Sequence, residues 1–130
     1  MIGVVVVTHG SLAHELVKAA RTIVGEVPAV AAVSIGWGDD VDAARDAIAG
    51  AIREVGGHCL LLTDMFGGTP TNVSLPFLSP DVEIVTGVSL PMLIKATSLR
   101  EGDLREVARV VRDQGRGAIH VASELLERMP

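Results

Sequence analysis

A chain of 130 residues is the usual size of one domain and can bury a core without disulfide or metal staples. Its hydrophobic fraction is 48% but its aromatic fraction only 2%, so valine, alanine, leucine and isoleucine must fill the interior, as in parallel sheets covered by helices. The net charge is −5 and the basic residues are scattered, with no Lys/Arg run or aromatic platform, which argues against a nucleic-acid partner.

In chain order, Ile2 to Val7 is a continuous run of mostly β-branched residues and predicts a buried strand. Ser11 is placed to cap a helix whose apolar face would carry Leu12, Leu16, Ala19, Ala20 and Ile23, ended by Gly25. Val30 to Ile35 reads as the second strand, Gly36-Trp37-Gly38 as a turn, and Asp39 or Asp40 as the next cap. The helix that follows would bury Val41, Ala44, Ile48, Ile52 and Val55 and stop at Gly56-Gly57. His58 to Thr63 gives the third strand, followed by a loop over residues 64–68 and a short helix near Thr69 to Leu75. Asp81 to Thr86 is a fourth strand; Ser89 and Pro91 open another helix. Asp103 and Glu106 form a capping-box-like pair for a helix through Asp113. Gly115 and Gly117 would release the chain into a last strand, Ala118 to Ala122, with a brief helical tail.

This alternation predicts one domain over residues 1–130 of the α/β class: a doubly wound, mainly parallel open sheet with helices on both faces. Cys59 is the only cysteine, and its apolar setting predicts a buried thiol of no special reactivity, with no disulfide and no CxxC metal spacing. The start of the chain lacks the basic region of a signal peptide, and no apolar run is long enough to span a bilayer. The expectation is a soluble, cytoplasmic protein with no direct membrane insertion.

Ligand sites in such sheets lie beyond the carboxyl ends of the strands, and two strand ends are polar there. One reads Thr8-His9-Gly10-Ser11, the other Thr63-Asp64-Met65-Phe66-Gly67-Gly68-Thr69-Pro70. If the two strands are neighbours, Asp64 can accept a hydrogen bond from one nitrogen of His9 and leave the other as a nucleophile. A phosphoryl group on that nitrogen would need backbone donors, which Gly10 and Ser11 on one side and Gly67, Gly68 and Thr69 on the other could supply. No Walker-type lysine motif suggests direct ATP use, and the histidine spacing offers no zinc site, so neither a metal nor another cofactor is expected. Of the other histidines, His14 reads as solvated or partner-facing, and His58 and His120 as structural. Trp37 reads equally as a surface aromatic for partner docking or as a lid on the core.

These residues resemble the IIA component of the mannose family of bacterial sugar phosphotransferase systems. The resemblance runs from Ile2 to about Val121 and rests on Thr8-His9-Gly10, on Thr63 through Asn72, and on Gly87-Val88-Ser89-Leu90-Pro91-Met92-Leu93, where Ser89 replaces the usual asparagine. It implies that His9 is phosphorylated, that Asp64 orients it, and that the phosphoryl group comes from the phosphocarrier HPr and leaves to a IIB component. It implies a phosphotransferase component, and a homodimer in which Ala118 to Ala122 is exchanged, as an antiparallel edge strand. The sequence shows no linker and no fused IIB, so the expectation is a IIB partner reached in trans. Two alternatives remain. In one, phosphorylation of His9 controls a bound partner without sugar transport, which pull-downs with His9→Ala and His9→Asp would distinguish. The other is the phosphotransfer subunit of dihydroxyacetone kinase, which normally carries extra domains. A hydrolase fits worst, since no nucleophile elbow is present.

Overall fold

The structure is a computed structural model that describes residues 1–129. Four strands form one sheet: β1 (Gly3–His9), β2 (Val30–Ile35), β3 (Cys59–Thr63) and β4 (Val82–Thr86), in the order β2-β1-β3-β4. Every pairing is parallel. Helices α1 (Leu12–Val24), α2 (Val41–Glu54) and the short α3 (Thr69–Ser74) follow the first three strands; a 3-10 turn over Leu75–Phe77 extends the last. After β4 come α4 (Leu90–Ser98), α5 (Leu104–Gly117) and α6 (Ala122–Glu127).

The central strands are apolar throughout because both faces of the sheet are covered. Val4 and Val6 of β1, with Leu60 and Leu62 of β3, pack under α1, α4 and α5. The alternate residues Val5, Val7, Cys59 and Leu61 pack with α2 and Val73 of α3. Burial pushes the Cys59 thiol up to about 11, so it stays a protonated, inert core group as expected.

The phase of α1 differs from the sequence reading. In α1 the buried positions are Ala13, Val17 and Ala20, with Leu16 against them, while Leu12 and Ile23 are exposed. The two-residue connection Gly10-Ser11 sets this rotation. Ser11 occupies the N-cap position but makes no side-chain cap bond; the buried Thr8 hydroxyl accepts from the Ala13 N–H at 2.6 Å instead. In α2 the expected stripe holds, with Ala44, Ile48 and Val55 buried and Ile52 packed against the core, and only Val41 is exposed; Asp40 caps the helix by accepting from the Ala43 N–H.

The end of the chain departs further. α5 does not stop near Asp113 but runs to Gly117, and residues 118–121 form no strand; α6 begins at Ala122. Gly115 is therefore not a release point. A Cβ there would lie 2.6 Å from Met92 Cγ and Sδ, so this glycine lets α5 approach α4 closely. A strand needs a ladder partner, and among the described residues nothing pairs with 118–121. Ile119, His120 and Val121 are exposed, so His120 does not lie in the last strand where the sequence placed it.

Candidate functional site

Strand order places the site. β1 lies between β2 and β3, and the chain departs to opposite faces after β1 (into α1) and after β3 (into α3), the arrangement in which ligand sites lie in a crevice beyond the strand ends. The register pairs Val7 with Thr63, which puts His9 and Asp64 just past that pair on adjacent strands. His9 Nδ1 lies 2.8 Å from Asp64 Oδ2, and the His9 backbone N–H donates to the same oxygen at 3.0 Å. Asp64 Oδ1 accepts from the Met65 N–H at 3.0 Å.

Burial alone would raise the Asp64 carboxyl, but hydrogen bonds from the His9 backbone and ring, with the charge that ring can carry, hold it below its ordinary value. The ionised carboxylate can only accept, so Nδ1 is the donor and the Nε2 lone pair is left free. Both side chains are largely shielded, 19% exposed at His9 and 13% at Asp64.

The loop after β3 is tied beneath Asp64 by a residue the sequence reading did not single out. The buried Thr71 hydroxyl donates to the Met65 carbonyl at 2.6 Å and lies 2.8 Å from the Thr63 hydroxyl, bridging the residues either side of Asp64. Nothing in composition or periodicity marks Thr71, because its role depends on α3 folding back onto the end of β3.

The expected phosphate-binding residues divide. Gly67 adopts φ +89°, a left-handed turn that brings the chain back toward His9. Gly68 is the N-cap residue of α3, and a Cβ on it would sit 2.6 Å from His9 Cε1 and 3.1 Å from Nε2. Its lack of a side chain is what admits the imidazole. Thr69 opens α3 and is exposed. Across the crevice, the Ser11 hydroxyl is exposed and not used as a cap. Gly10 is a correction: its N–H donates to the Ile35 carbonyl at 2.8 Å, so it is not free for an anion. Its contribution is the left-handed turn at φ +55° from which α1 departs.

The remaining histidines lie elsewhere. His14 is exposed, with Nδ1 2.6 Å from Ser34 Oγ, and His58 pairs with Asp81 at 3.1 Å near the starts of β3 and β4. Trp37 is 82% exposed and is not a core lid; its indole stacks on the His9 imidazole. Among the described residues, no group of three or more His, Cys, Asp or Glu is placed to hold a metal, and no helix is long and apolar enough to cross a membrane.

The four-stranded parallel sheet flanked by helices has the fold of solved IIA components of sugar phosphotransferase systems. The family model of the PTS system fructose IIA component matches residues 3–112, and the chain belongs to that family. The fructose-specific EIIA component of Bacillus subtilis is 29% identical over 99% of this chain and 92% of its own length. The sorbose-specific EIIA component of Lacticaseibacillus casei is 32% identical over 71% of this chain and 69% of its own. The mannose-specific EIIAB component of Escherichia coli is 26% identical over 78% of this chain, which spans only 33% of that longer protein. The mannose/sorbose-specific IIA subunit from Enterococcus faecalis superposes with a TM-score of 0.85 at 28% identity, covering 92% of this chain and 93% of its own. An EIIA component from Streptococcus agalactiae, 24% identical, has the same fold, with a TM-score of 0.86 over 95% of this chain and 99% of its own.

Proposed function

We propose that this chain is a cytoplasmic phosphohistidine carrier that accepts a phosphoryl group from an HPr-type protein on His9 and donates it to a IIB component in trans. The observation that carries the reading is the His9–Asp64 bond through Nδ1, which leaves Nε2 as the nucleophile at the crevice. The Nε2 lone pair attacks phosphorus in line with the P–N bond of the donor's phosphoimidazole. That bond breaks as P–Nε2 forms, and its electron pair returns to the donor ring. The Nδ1 proton stays between His9 and Asp64, so no separate base has to move it. The N–H groups of Gly68 and Thr69 have no partner within α3 by virtue of their position and are assigned to the equatorial oxygens, with the Thr69 and Ser11 hydroxyls beside them. Transfer to IIB reverses these steps.

The carrier is proposed to act as a homodimer, in which residues 118–122 of each copy add to the open β4 edge of the other. Among the described residues no strand lies beyond β4, whose edge is met only by the Ser79–Val82 bridge, and Ile119, Val121 and Leu126 are exposed. Incubation with phosphoenolpyruvate, enzyme I and HPr tests the chemistry. Intact mass should show one added phosphoryl group, lost in His9→Ala; an unmodified wild-type chain beside a phosphorylated HPr control would refute the reading.

A further inference from the structure

The stack of Trp37 on His9 has no part in the chemistry described so far. The ring centroids are 4.9 Å apart and the planes 21° from parallel. Trp37 comes from the loop between β2 and α2, and its placement is built. His9 is paired in register with Ile35, the last residue of β2, so the turn that carries Trp37 begins beside His9. The loop is closed from both ends: the Gly36 N–H donates to Asp39 Oδ2 at 2.6 Å, and the Asp39 N–H donates to the Gly36 carbonyl at 3.1 Å. Asp40 then anchors α2 immediately behind it.

Asp64 holds one edge of the imidazole, Gly68 packs at the Cε1–Nε2 edge and Trp37 covers a face. An indole exposed over most of its surface adds little to the core, so ordinary packing does not account for it.

We infer that Trp37 is a positioning residue for phosphoryl transfer, holding the His9 ring by its face and favouring the form that carries positive charge. The inference rests on the carrier reading and deepens it. When Nε2 bonds to phosphorus while Nδ1 keeps its proton, both ring nitrogens are substituted and the imidazole gains positive charge. The negative face of an indole attracts such a ring more than the neutral one it covers at rest. That preference is expressed as the P–N bond forms, so it acts on kcat rather than on donor binding.

Two measurements on wild type, Trp37→Phe and Trp37→Ala test it. In the unphosphorylated protein, the His9 ring C–H proton resonances should be displaced by the indole ring current, less so in Trp37→Phe and not in Trp37→Ala. With phospho-HPr as varied donor, Trp37→Ala should lower kcat by roughly three- to thirtyfold with KM little changed, and Trp37→Phe should stay within about threefold of wild type. Unchanged resonances in Trp37→Ala would overturn the stack. A raised KM with kcat intact would overturn the positioning role and make Trp37 a docking residue. A wild type that shows the ring-current displacement yet takes no phosphoryl group would refute the carrier reading, and the transfer role with it, leaving a structural stack.

Discussion

Asp64 Oδ2 receives two donors from one residue, the backbone N–H and the ring Nδ1 of His9, so it fixes both where the histidine sits and how its ring is turned. Asp64→Asn keeps the shape but removes the charge that strengthens these bonds. Phosphoryl uptake by His9 should fall roughly 10- to 100-fold, read as the rate of mass gain in the relay assay; an unchanged rate would show that ring orientation does not limit transfer. The depressed Asp64 carboxyl also carries a stability term with a definite sign. Its contribution is full above its ordinary value, near pH 4, and is lost as pH falls through the lower folded value. The urea midpoint of wild type should therefore exceed that of Asp64→Asn at pH 6, and the gap should close on acidification below about pH 4. Gly68 is constrained by contact, since any Cβ would meet the imidazole at Cε1 and Nε2. Gly68→Ala should reduce phosphoryl uptake at least about tenfold by displacing the ring, with thermal unfolding close to wild type. Full uptake would mean that the loop can move aside.

At the scale of elements, close approach depends on two glycines with different obstacles. A Cβ at Gly115 would meet the Met92 side chain, which is flexible and can give way. A Cβ at Gly3 would meet Val55 Cβ and Cγ2 at 2.6 Å and the Val55 carbonyl oxygen at 2.7 Å, which cannot move without shifting the end of α2. Both alanine substitutions overpack, at about 1–3 kcal/mol, and Gly3→Ala should be the costlier in urea denaturation; the reverse order would place the strain in α5 instead. Elements also share tasks that one residue was expected to perform. Thr8, at the end of β1, bonds the first turn of α1, which leaves the Ser11 hydroxyl available beside His9.

At the scale of the whole molecule, the β4 edge and the exposed apolar end of the chain are the two features behind the proposed second copy. Light scattering should give twice the chain mass of 13.6 kDa, and truncation after Gly117 should return a monomer; a monomeric full-length chain would rule the exchange out. Four strands, the parallel sheet and the place of His9 and Asp64 at strand ends were legible in the sequence; that their strands are neighbours came from the sheet order. Buried strands between helices must be continuously apolar, and the polar residues that interrupt them collect at the strand ends. The phase of α1, the reach of α5, the bridge made by Thr71 and the stack of Trp37 on His9 were decided only in three dimensions. Each depends on the rotation of one element against another, and periodicity along a chain records which faces are apolar but not what stands opposite them.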